Sequence, residues 1–73
     1  MNYIIILTSI TYVYQAQHCL SGNNIKTCIT KVRARKERRG CGYGIELNER
    51  FLNTAVSILE KHRIRIVEII QEE

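Results

Sequence analysis

Phe51, Leu52, Ala55, Ile58, Leu59 and His62 fall within about 120° of one another when successive residues advance by about 100°. No extended chain gathers these residues, because a strand sends neighbours to opposite faces with a period of two. The stripe therefore predicts an amphipathic helix. Asn48 is placed to cap its N-terminus, and Glu49 favours the positive end of the helix dipole. His62 closes the stripe and reads as a packing residue at the helix end rather than a ligand.

This helix is flanked by two apolar segments too short to be helices themselves, Tyr43–Leu47 and Ile64–Ile70, and both read as strands. The first half of the chain repeats the pattern. Residues 2–8 form a β-branched apolar run, and its lack of alternation suggests a central strand covered at least partly on both sides. A helix is expected from Ser9 to Ser21, with Ser9 or Thr8 as cap and Tyr12, Val13, Ala16, Cys19 and Leu20 on one arc. Gly22-Asn23-Asn24 should end it, since Gly and Asn accept left-handed backbone. Ile25–Val32, with alternating residues, reads as a half-exposed edge strand, and Gln71-Glu72-Glu73 is expected to fray.

The order is β-α-β-β-α-β. Two right-handed β-α-β crossovers joined by a hairpin give an α+β, ferredoxin-like fold. Its four-stranded antiparallel sheet has two helices on one face and the first and third strands at its centre. Residues 1–73 are expected to form a single domain, because two separate cores do not fit in this length. Ile64, Ile66 and Ile70 alternate with Arg65, Val67 and Ile69, so apolar groups should reach both faces of the last strand. That suggests a homodimer or higher oligomer through the open sheet face.

The net charge of +4 is unevenly placed. Lys31, Arg33, Arg35, Lys36, Arg38 and Arg39 oppose only Glu37, whereas the rest of the chain carries five basic and six acidic residues. Such a segment attracts phosphates, anionic ligands or an acidic protein surface, or it is simply a solvated hairpin. No Lys or Arg precedes Lys26, and polar Thr8, Ser9 and Thr11 interrupt the apolar start, so neither a signal peptide nor a membrane span is indicated. The chain reads as cytoplasmic. Three cysteines without paired spacing are no disulfide framework. His18 and Cys19 are adjacent on a helix and cannot easily share an ion, so no metal site and no cofactor are expected.

Cys41 is the cysteine whose surroundings suggest reactivity. Gly40 and Gly42 leave its sulfur uncrowded, and Arg38 and Arg39 favour the thiolate over the thiol. A thiolate in a positive loop can attack electrophilic sulfur or selenium and hold it as a persulfide-type adduct. The alternative is a small residue packed at a strand start. Cys19 is expected in the core. Cys28 should face away from Ile25 and Ile29, and the sequence leaves its distance from Cys41 open. No hydrolytic triad, carboxylate pair or phosphate-binding loop is present, so the chain reads as a carrier or binding protein, not an enzyme.

Over residues 2–70 the chain resembles the selenium/sulfur carrier-like family of small bacterial proteins, which share this strand and helix order and a loop ending in Cys-Gly. The likeness is most specific at Cys41-Gly42-Tyr43-Gly44-Ile45-Glu46-Leu47 and extends through Leu52–Ile69. Two departures stand out. Where the family shows a Pro-Arg pair and then serines before the cysteine, this chain has Ala34-Arg35 and Glu37-Arg38-Arg39-Gly40. Where the family ends each helix with Gly, this chain has Asn24 and Arg63, and Arg63 in left-handed backbone would cost about 1 kcal/mol.

The resemblance implies a carrier or thiol-dependent accessory protein, with Cys41 as acceptor. Arg35, Arg38 and Arg39, beside Gly40 and Gly42, would meet a sulfur- or selenium-handling enzyme with an acidic surface. A second reading is an RRM-like nucleic-acid module using Lys31, Arg33, Arg35, Lys36, Arg38, Arg39 and Tyr43. It lacks the usual aromatic platform, since the central strands offer only Tyr3 and Tyr43. A third is a ferredoxin-like regulatory or protein-interaction domain.

Overall fold

In a computed structural model, which describes residues 1–32 and 42–72, the chain forms β1 (Asn2–Leu7), α1 (Ile10–Ser21), β2 (Cys28–Val32), β3 (Gly42–Asn48), α2 (Leu52–Lys61) and β4 (Ile66–Glu72). The strands make one antiparallel sheet in the order β2-β3-β1-β4. The arrangement is ferredoxin-like α+β, with β1 and β3 central. Ser9 caps α1 by accepting a hydrogen bond from the Tyr12 amide at 3.4 Å. Asn48 caps not α2 itself but a short 3-10 turn, Glu49–Phe51, that leads into it; the Arg50 amide donates to Asn48 Oδ1 at 3.0 Å.

Directly opposed residues of an antiparallel pair share a face, and the register sorts the sheet accordingly. Ile5 opposes Ile45, and both join Leu7 and Leu47 in a core with Val13, Ala16 and Leu20 of α1 and Ala55 and Leu59 of α2. Both helices thus cover one face. Ile4, Ile6, Gly42, Gly44 and Glu46 lie on the other, with Cys28 and Thr30 of β2 and Glu68 and Ile70 of β4.

The two helices end alike. After α1 the Ile25 amide donates to Leu20 O (2.9 Å) and the Asn24 amide to Ser21 O (3.0 Å). After α2 the Ile64 amide donates to Leu59 O (2.9 Å) and the Arg63 amide to Glu60 O (3.0 Å). These are Schellman turns, in which one left-handed residue satisfies the last carbonyls and an apolar residue beyond it packs back on the helix. Asn24 (φ 62°) and Arg63 (φ 60°) are the left-handed residues, and Ile25 and Ile64 are the buried anchors.

Several sequence expectations change here. Ile25 and Ile64 are turn anchors and not strand residues, so β2 and β4 begin three and two residues later than the alternation suggests. Gln71 and Glu72 do not fray, because they pair with Tyr3 and Asn2. A bulge in β4 leaves Val67 as the extra residue, with Ile6 opposite Glu68 and Leu7 opposite Ile66. The bulge turns Ile66 into the core, so Ile64, Ile66 and Ile70 do not share a face. Tyr12 (41% exposed) and His62 face solvent, and Cys19 is only half-buried. Tyr12 and Cys19 lie at the angular margin of their stripe, and His62 is the cap residue just past the end of α2.

Candidate functional site

The β2–β3 hairpin carries the basic segment and the Cys-Gly pair. Val32 pairs with Gly42, so the connection between the strands spans residues 33–41, longer than the two to five residues common in hairpins. Arg33, Arg35, Lys36, Arg38, Arg39, Gly40 and Cys41 lie outside the described residues. The described rim consists of Lys31, Gly42 and Tyr43. Lys31 opposes Tyr43 across the strands, and both reach solvent at this end of the sheet.

Tyr43 opposes Leu7 and has the parity of Ile45 and Leu47, so it stands on the helix side of the sheet, 37% exposed at the strand end. Tyr3 opposes Leu47 and shares that side. On the open face the central strands offer Ile4, Ile6, Glu46 and two glycines, together with Asn2, whose amide donates to Glu46 Oε2 at 2.8 Å. Among the described residues that face has no aromatic side chain from β1 or β3 on which a base could stack.

The glycines differ. A Cβ at Gly42 would sit 3.6 Å from Ile6 Cγ2, an ordinary contact. A Cβ at Gly44 would meet Ile5 O at 2.7 Å and Ile4 Cγ2 at 2.8 Å, closer than packed atoms allow. Gly44 therefore lets β1 lie tightly against β3 and places the hairpin stem. The sequence offers only a faint signal for this, a glycine inside a strand pattern.

Cys28 is exposed on the open face opposite Glu46. From there Gly42 is four residues along β3, about 13 Å at the rise of a strand. A disulfide needs Cα atoms within about 7 Å, so Cys28 stands well beyond that reach from Gly42, the first residue of β3. Among the described residues no three His, Cys, Asp or Glu side chains cluster to hold a metal ion, and no helix is long and apolar enough to cross a membrane.

The fold and the stem define a small α+β protein built around one long, cationic hairpin connection. The chain belongs to the Putative Se/S carrier protein-like family, whose sequence profile matches residues 2–71. No curated protein and no solved structure matches it.

Proposed function

We propose that the protein carries sulfur or selenium on Cys41 for a partner enzyme with an acidic surface. The family match over residues 2–71, with Cys41-Gly42 at the entry to β3, supports this reading. Five cations of the 33–41 connection precede that cysteine in sequence, and positive charge favours the thiolate. In the transfer the Cys41 thiolate attacks the terminal sulfur of a persulfide on the donor enzyme. The donor's S–S bond breaks, the donor leaves as a thiolate, and Cys41 holds the persulfide. Selenium follows the same course from a selenopersulfide. Arg35, Arg38 and Arg39 steer the donor and stabilise the attacking Cys41 thiolate.

Nucleic-acid binding has less support, because Tyr3 and Tyr43 both stand on the helix side of the sheet. Basic residues alone would bind nucleic acid weakly and without sequence preference.

Incubation with a cysteine desulfurase and free cysteine, followed by mass spectrometry of the intact protein and its peptides, tests the proposal. The expected result is one added sulfur on the Cys41 peptide, lost in Cys41→Ser and kept in Cys19→Ser and Cys28→Ser. No mass change, or equal labelling of all three thiols, overturns it.

A further inference from the structure

At the end of the sheet away from the 33–41 connection, α1 and the segment leading to β2 enclose an open cleft of about 670 Å³. Tyr14, Gln17, His18 and Ser21 of α1 form one wall, and Lys26 and Thr27 form the other. Asn24 and the apolar Ile25 complete the lining; apart from Ile25 every one of these side chains can donate a hydrogen bond, Lys26 is cationic, and among the described residues no carboxylate lines the cleft. Gln17 Nε2 donates to Thr27 O at 3.3 Å and ties the walls together. Thr27 Oγ1 is closed to solvent and has no hydrogen-bond partner among the described residues, a condition that buried hydroxyls rarely tolerate.

The other half of the molecule shows how such a place is closed when nothing binds there. Counting from the leucine of each Schellman turn, Gln17 corresponds to Val56 and Thr27 to Ile66. Val56 and Ile66 are apolar and pack against the core. The N-terminal half keeps a polar pair at the same two positions, and one of the pair is unsatisfied. The carbonyls ending α1 do not oppose an anion strongly, because they already accept hydrogen bonds. The Gly22 amide donates to His18 O at 3.1 Å, the Asn23 side chain to Cys19 O at 2.9 Å and the Ile25 amide to Leu20 O at 2.9 Å.

We infer that this cleft binds the oxyanion group, phosphate or carboxylate, of a small polar molecule. Lys26 supplies the charge, His18 a ring N–H donor, and Ser21 and Tyr14 hydroxyl donors. A χ1 rotation of Thr27 lets its hydroxyl reach the ligand. The site lies at the opposite end of the sheet from Val32 and Gly42, and the inference is independent of the carrier proposal.

Amide chemical shifts of the full chain, followed by NMR during titration with inorganic phosphate and, separately, acetate, test the inference against chloride at equal ionic strength. Saturable shifts confined to residues 14–27 with either anion are expected; phosphate alone or both together tells which oxyanion the site takes. Lys26→Gln should weaken binding about tenfold, the loss of one charge-assisted hydrogen bond. Thr27→Val should also weaken it while the protein stays folded by its spectrum. Shifts that never saturate, that chloride reproduces, or that appear only at Lys31, Gly42 and Tyr43 overturn the inference. So does unchanged binding in a folded Thr27→Val variant.

Discussion

Leu20 to Ile25 and Leu59 to Ile64 trace the same turn with different residues at its left-handed position. Asn24 adopts φ 62° with little strain, because its short amide side chain tolerates that backbone. Arg63 adopts φ 60° with no such relief, at about 1–2 kcal/mol. Both turns form nonetheless, since each is held by a fully buried leucine before it and a buried isoleucine after it. Burying one such side chain contributes about 1.5–3 kcal/mol, enough to outweigh the strain at Arg63. Anchoring by tertiary contacts, more than local preference, decides where each helix stops. The halves then diverge two residues further on, where Thr27 stands against polar Gln17, and Ile66 takes the matching place beside apolar Val56.

The strongest way to break the equivalence is to remove an anchor. Leu20→Ala and Leu59→Ala should each lose about 2–5 kcal/mol in urea unfolding, since both leucines are fully enclosed. If one variant is nearly neutral, the turns are not held alike. The stem glycines give the next effect. Gly44→Ala should destabilise by about 1–3 kcal/mol through overpacking against Ile4 and Ile5, whereas Gly42→Ala should change stability much less. Equal losses would mean that the close approach of β1 is not what requires Gly44. The finest test exchanges the left-handed residues. Arg63→Gly should raise stability by about 0.5–1 kcal/mol, the relieved strain less the added freedom of the unfolded chain. Asn24→Gly should leave the midpoint nearly unchanged, and a gain there as large as at Arg63 would contradict the difference drawn between the two residues.

Much of this is legible in the sequence. The stripe from Phe51 to Leu59, the short apolar runs beside it and their repetition in the first half lead to the strand order and to a central β1. The left-handed positions at Asn24 and Arg63 could also be anticipated, from the resemblance to a family with glycine there. The starts of β2 and β4 could not, because Ile25 and Ile64 continue an apolar alternation although they serve as turn anchors. A period of two does not say which apolar residue a sheet will pair and which a helix will bury.

Local pattern alone thus determined the order of the elements and the charge gathered between β2 and β3, because periodicity and composition are properties of neighbours along the chain. Only the tertiary structure decided that Val67 bulges so that Ile66 enters the core, that Gly44 must lack a side chain, and that both central-strand tyrosines face the helices. It also decided that Cys28 stands far along the sheet from Gly42 and that Gln17 and Thr27 meet across a polar cleft. Each of these depends on which strand lies beside which, and in what register. Register is set by the packing of residues distant in sequence.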